Sequence, residues 1–152
     1  MSIGPHLLLI DARFYEPIAD ELCAGAVAAL AEAGASHDRL SVPGVLEIPA
    51  ALAMVLESSG SLYDGYVVLG CVIRGETSHY DIVAVQSARA IVDLTVGHAL
   101  AVGNGILTVE SKEQATVRAK LGGKDKGGVA ARAALAMIEL RRSLRSQPGD
   151  RS

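Results

Sequence analysis

The sequence predicts an α/β fold of βαβ units around a parallel sheet, on three observations. Segments of strand character alternate with segments of helical period along most of the chain. The run Tyr66-Val67-Val68-Leu69 is apolar on both faces, as a central strand covered by helices requires. The chain has 152 residues, half of them apolar and 20% charged, a size and composition suited to one compact core. Residues 1–152 therefore read as a single domain without repeat or linker, with short flexible ends at about 1–5 and 146–152.

The elements follow in order. His6 to Ala12 reads as a strand. Pro17 to Ala33 sets Ile18, Leu22, Ala26, Ala29, Leu30 and Ala33 on one helical face, with Pro17 tolerated in the first turn and Gly34 just beyond the end. A short strand over Arg39 to Val42 stops at Pro43-Gly44, and Leu46 to Glu57 reads as a helix closed by Ser58-Ser59-Gly60. Tyr66 to Ile73 is the next strand and should be the most buried. From His79 to about Leu100 runs a long helix with charges only at Asp81, Arg89 and Asp93, so more than one face is apolar and one subunit alone leaves part of it uncovered.

Gly105 to Val109 is expected as the fourth strand. Ser111-Lys112-Glu113-Gln114 has the Ser-x-x-Gln spacing of a capping box, opening a short helix that Gly122-Gly123 should end. The last helix, about Gly127 to Leu144, aligns Val129, Ala133, Met137, Leu140 and Leu144 and gathers Arg141, Arg142 and Arg145 at its negative end.

Several classes are disfavoured. A net charge of −3, and only four Tyr and one Phe for stacking, speak against a nucleic-acid partner. Cys23 and Cys71 lack CxxC spacing and sit among apolar neighbours, so they read as small buried thiols in a reducing cytoplasm. His6, His37 and His98 are scattered, and no metal site is expected. Met1 to Ile10 lacks the basic start of a secretory signal. The longest uncharged stretch, Leu94 to Val109, falls short of the ~20 residues a membrane helix needs, so no membrane association is expected.

The most informative stretch is Gly70 to Asp81, where the buried strand reaches a Gly turn and starts a helix. Strand ends of a parallel sheet form the ligand crevice, and a helix N-terminus there offers free N–H groups to a phosphate. His79, on the first turn, is either a proton-transfer group beside that anion or a surface histidine at a helix start. Glu47 follows Pro43-Gly44-Val45-Leu46 at another strand end; it either accepts hydrogen bonds from a polyol or simply complements the helix dipole. Phe14 either stacks on a flat heterocycle or is core. Gly103-Asn104-Gly105 enters a strand instead of leaving one, and Gly122 to Gly127 lacks a following Lys-Ser/Thr, so neither is a nucleotide motif.

Taken together, Arg13-Phe14, Pro43-Gly44-Val45-Leu46-Glu47-Ile48-Pro49, Gly70 through Asp81, Gly105-Ile106-Leu107-Thr108, Glu113-Gln114-Ala115 and Lys126-Gly127 resemble the ordered motifs of lumazine synthases. The likeness spans nearly the whole chain. It implies a flavodoxin-like three-layer sandwich with a four-stranded parallel sheet, forming homopentamers or multiples of them with active sites between subunits. It further implies two small-molecule substrates, 5-amino-6-(D-ribitylamino)uracil and 3,4-dihydroxy-2-butanone 4-phosphate, joined to 6,7-dimethyl-8-ribityllumazine with release of phosphate, and no cofactor or metal.

Residue by residue, the resemblance puts Phe14 on the pyrimidine, Val45, Leu46 and Glu47 on the ribityl chain, and Val72 and Ile73 along the ring pocket. Gly75, Glu76 and Thr77 would receive phosphate, and His79 would shuttle protons. From the neighbouring subunit, Arg118 would pair with the phosphate and Lys126 would contact the pyrimidine side. Two departures stand out: Tyr15 replaces an asparagine often found after Arg-Phe, and Asn104 stands where many members place an apolar or aromatic cover. The rival readings are a catalytically weak, lumazine-binding pentameric scaffold, opposed by the presence of His79 and Arg118, and a flavodoxin-like electron carrier, whose hydroxyl- and glycine-rich loop is missing from Asp11 to Glu16.

Overall fold

The computed structural model describes residues 4–59, 62–75 and 78–146. In chain order it contains β1 (His6–Ala12), α1 (Glu16–Glu32), β2 (Ser36–Val42), α2 (Glu47–Ser59), β3 (Gly65–Ile73), α3 (His79–Gly97), β4 (Val102–Val109), α4 (Lys112–Ala119) and α5 (Lys126–Arg145). The strands form one sheet in the order β2-β1-β3-β4, every neighbouring pair parallel. Helices α1, α4 and α5 cover one face and α2 and α3 the other, which is the flavodoxin-like three-layer sandwich.

Alternation along β1 sorts its side chains between the layers. Leu7 and Leu9 pack with α1, while Leu8, Ile10 and Ala12 pack with α2. In β3, Gly65 to Val72 are all buried, as expected of the central strand. α1 buries Ile18, Leu22, Ala26, Ala29 and Leu30 and ends in a complete Schellman motif. There Ala35 N–H donates to Leu30 O and Gly34 N–H to Ala31 O, with Gly34 at φ 72°.

The last helix differs from its sequence pattern. Val129, Met137, Leu140 and Leu144 are 44% to 52% exposed, and α5 instead buries Gly127, Gly128, Ala130, Ala131, Ala134 and Ile138. The cause is close approach. A Cβ on Gly103 of β4 would stand 1.8 Å from Ala130 O, and one on Gly127 would stand 1.9 Å from Leu22 O, so only small residues fit beneath α5. The aligned larger side chains are left on the outside.

Other boundaries move for local reasons. β2 starts at Ser36, earlier than Arg39, because its ladder with β1 begins at His6 opposite Ser36 although the strand is polar. β4 starts at Val102, earlier than Gly105, its two glycines admitting α5. α3 stops at Gly97, short of Leu100, as Ala99 turns left-handed at φ 52°. α4 stops at Ala119, and Gly122-Gly123 lie in the following turn. Its N-cap is half the expected box: Ser111 Oγ accepts Gln114 N–H at 3.2 Å, but Gln114 Oε1 accepts from Glu110 N–H, not from Ser111. The stop at Gly60 lies outside the described residues. Of the two ends, Pro5 O accepts Ser36 N–H at 2.9 Å and Ser146 N–H donates to Arg142 O at 3.0 Å.

α3 is incompletely covered, as its sequence suggested. It buries only Val83, Ser87 and Ile91, while Ile82, Val85, Val92 and Val96 are 53% to 76% exposed. Among the described residues no helix is long and apolar enough to cross a membrane. Cys23 and Cys71 are free and buried, and burial pushes both thiols up to about 11.

Candidate active site

A cleft of about 360 Å³ opens at the C-terminal ends of β1 and β3, where the strand order reverses. Four pieces of chain build it: Phe14 and Tyr15 after β1, Gly44 to Glu47 leading into α2, Cys71 to Ile73 at the end of β3, and His79, Tyr80 and Val83 on α3. Each is held for a local reason. A Cβ on Gly70 would stand 2.9 Å from Val45 Cγ2, so glycine there lets the β2–α2 connection settle directly onto β3. Glu47 begins α2, and its Oε1 lies 3.0 Å from where a Cβ of Gly44 would be.

The connection after β1 is anchored by a buried ion cluster. Asp11 is fully buried and receives Arg39 Nε at 3.0 Å, Arg39 Nη2 at 3.2 Å, Ser41 Oγ at 2.8 Å and Arg13 Nη1 at 3.1 Å. Burial by itself raises the Asp11 pKa, but the hydrogen bonds from Arg39, Ser41 and Arg13 outweigh it and hold the carboxyl below its ordinary range. Arg13 also reaches Asp20 at 2.9 Å, and its backbone N–H donates to Val42 O at 2.8 Å. The next residue, Phe14, is thereby presented at the cleft mouth, 73% exposed, with the Tyr15 ring edge-on at 4.9 Å and 82°. It is not a core residue.

Of the residues singled out in the sequence, the cleft brings together Phe14, Val45, Leu46, Glu47, Val72, Ile73 and His79. His79 is the exposed first residue of α3. Gly75 does not line the cleft, and Glu76 and Thr77 lie outside the described residues. Asn104, Arg118 and Lys126 stand elsewhere. Asn104 is exposed on β4, its Oδ1 accepting Ile106 N–H at 2.9 Å. It pairs with Val68, three residues before the Cys71–Leu107 pair, roughly 10 Å along the strand from the cleft.

Arg118 is half-buried on α4, its Nη1 donating to Gln114 O at 3.3 Å, and exposed Lys126 starts α5. A second cavity of about 550 Å³, behind Phe14 and Tyr15, takes Lys112 and Thr116 from α4, but neither Arg118 nor Lys126. Arg118 points to the opposite side of α4 from Thr116, roughly 200° around the helix.

Sequence reasoning gave no site role to Gly44, Cys71, Tyr80 and Val83 and named Tyr15 only as a departure bearing on the pyrimidine, yet all five line the cleft. Tyr15, Gly44, Cys71 and Tyr80 fall beside or within the motifs, so their position was available, but which side chains turn inward depends on the packing of three connections. Among the described residues no group of three or more His, Cys, Asp or Glu is placed to hold a metal ion.

Residues 4–142 match the protein family described as 6,7-dimethyl-8-ribityllumazine synthase. The chain is similar to proteins of that name from Bartonella tribocorum, at 61% identity over 93% of each chain, and Bartonella bacilliformis, at 58% over 93% of each. It is likewise similar to the one from Agrobacterium fabrum, at 59% over 92% of this chain and 97% of the relative.

Proposed function

The chain belongs to the 6,7-dimethyl-8-ribityllumazine synthase family, and from that membership we infer its reaction. It is a transferase of riboflavin biosynthesis that condenses 5-amino-6-(D-ribitylamino)uracil with 3,4-dihydroxy-2-butanone 4-phosphate, giving 6,7-dimethyl-8-ribityllumazine, phosphate and two molecules of water. The observation that carries the site assignment is the cleft at the β1/β3 switch point, where an exposed aromatic ring, a carboxylate at a helix start and an imidazole at a helix start converge.

In this reading the Phe14 face stacks on the pyrimidine, Glu47 accepts hydrogen bonds from the ribityl hydroxyls beside Val45 and Leu46, and Val72 and Ile73 form the apolar floor. Phosphate is received by Gly75, Glu76 and Thr77 ahead of the α3 N-terminus, whose dipole favours an anion. The substrate amine attacks the ketone, so no nucleophilic side chain is required; loss of water forms the imine, loss of phosphate leaves an enol that tautomerises to a carbonyl, and the ribityl-bearing nitrogen closes the ring on that carbon with loss of a second water. His79 moves the protons of these steps. Holding two reactants in register supplies much of the rate, since effective molarities reach on the order of 10⁵ M or more.

Asn104, Arg118 and Lys126 are assigned to the cleft of a neighbouring copy, in a homopentamer or a multiple of it. Two facts support this: none of the three lines its own cleft, and α3 leaves a row of large apolar side chains uncovered. A guanidinium in that position binds phosphate in a bidentate fashion. The reaction is placed in the cytoplasm, in keeping with two unpaired thiols.

Mixing the purified protein with both substrates is the test. Lumazine absorbance and phosphate release at rates proportional to enzyme are expected, whereas no product above the spontaneous background makes the protein a ligand-binding scaffold.

A further inference from the structure

The first turn of α3 carries His79, and its N-cap, Ser78, makes no side-chain capping hydrogen bond. A helix start without such a cap frays readily. Support for this one also reaches it from across the connection. The Arg74 guanidinium, one residue past β3, sits 4.3 Å from the centroid of the Tyr80 ring, and its Nη2 is 3.7 Å from Asp81 Oδ1. Both contacts are with the turn that begins at His79.

The guanidinium is itself tethered from the other side. Its Nε lies 3.2 Å from Glu110 Oε1 and 3.0 Å from Glu110 Oε2, while Arg74 N–H donates to Val109 O at 2.9 Å, extending the β3–β4 ladder. Glu110 N–H is in turn held by Gln114 Oε1 at 2.8 Å. A lone exposed ion pair does little, but here one planar cation joins a ring face, two carboxylates and a ladder bond.

We propose that Arg74 is a positioning residue for the reaction: clamped by Glu110, it pins Tyr80 and Asp81 and thereby fixes His79 and the Tyr80 wall of the cleft. The inference rests on the functional reading above. It concerns His79 placement, not phosphate affinity, so its signature is in kcat.

The assembled full-length protein and its Arg74→Gln, Arg74→Lys, Glu110→Gln and Tyr80→Leu variants are compared in steady-state kinetics against each substrate. For Arg74→Gln, kcat is expected to fall about tenfold while both KM values stay within about threefold, because small displacements of a reacting group are costly. Arg74→Lys keeps the charge but loses the fork and the flat stack, and should recover only part of the loss. Tyr80→Leu should add little in the Arg74→Gln background, since both disturb one device.

Side chains at 74, 81 and 110 are 44%, 59% and 61% exposed, so the variants should fold, and unchanged thermal midpoints verify it. Should Arg74→Gln disturb assembly, Glu110→Gln leaves Arg74 in place and is expected to lower kcat in the same direction. A tenfold rise in KM for the phosphate ester at constant kcat would mean that Arg74 binds phosphate itself, and unchanged kinetics would mean an idle ion pair; either overturns the proposal. An inactive parent protein would instead overturn the functional reading.

Discussion

Asp11 and Arg39 meet as a fork: the guanidinium of β2 reaches both oxygens of a fully buried β1 carboxylate, at 3.0 and 3.2 Å, just below the loop that presents Phe14. Because the folded-state pKa of Asp11 lies under its ordinary 3.8, the stability it contributes is complete above that value and is lost as pH falls through the lowered one. Asp11→Asn should therefore cost about 2 kcal/mol at neutral pH, the scale of a charged hydrogen bond, with the gap closing in strong acid. Urea midpoints measured down the pH scale give the answer; a gap that stays constant into acid contradicts the assignment.

Arg118→Ala should weaken the phosphate substrate roughly 10- to 100-fold in KM, the loss of one or two charge-assisted hydrogen bonds, while sparing the pyrimidine. Equal weakening of both substrates rules out its phosphate role. Competition with inorganic phosphate gives a second reading of the same site.

Val85 and Val96 of α3 are 60% and 76% exposed in a single chain. If a neighbouring copy covers them, a charge there strands an ion in an apolar contact, and Val85→Asp should cost about 2 kcal/mol or more per interface. Light scattering should then report smaller particles, with activity falling in parallel. Unaltered mass at assay concentration would place the interface elsewhere.

Gly103→Ala puts a methyl 1.8 Å from Ala130 O, a clash with backbone that cannot be relieved by turning a side chain. A loss of about 3 kcal/mol is expected, roughly 6–12 °C in thermal midpoint for a chain of this size. Gly97→Ala, where nothing lies within 4 Å, is the control and should shift stability by no more than about 1 kcal/mol. Similar midpoints for the two variants would show that α5 does not pack so closely.

How much was legible depended on the size of the buried side chains. In α1 the face carrying Ile18, Leu22 and Leu30 is the buried one, so periodicity alone oriented the helix. In α5 the buried face is glycine and alanine apart from Ile138, so the outward stripe of Val129, Met137, Leu140 and Leu144 was the visible one. The start of β4 at Val102 was hidden by Gly103 and Asn104, and the strand was read only from Gly105. In the site, the β3–α3 junction could be read from a strand, a glycine turn and a helix start in succession. The inward turn of Tyr15 and Tyr80 depends on separate connections meeting in space, and the tie between Arg74 and Glu110 joins positions 36 residues apart.

The separation of Arg118 from its own cleft has a genetic consequence. If a neighbouring copy supplies Arg118 to the cleft, then in a mixed assembly of His79→Ala and Arg118→Ala chains each contact that joins the intact cleft of one to the intact arginine of the other rebuilds a whole site. Two stocks that are each impaired when pure would then gain turnover at low phosphate-ester concentration on being unfolded together and refolded, a complementation that a catalytic centre housed in one polypeptide cannot display.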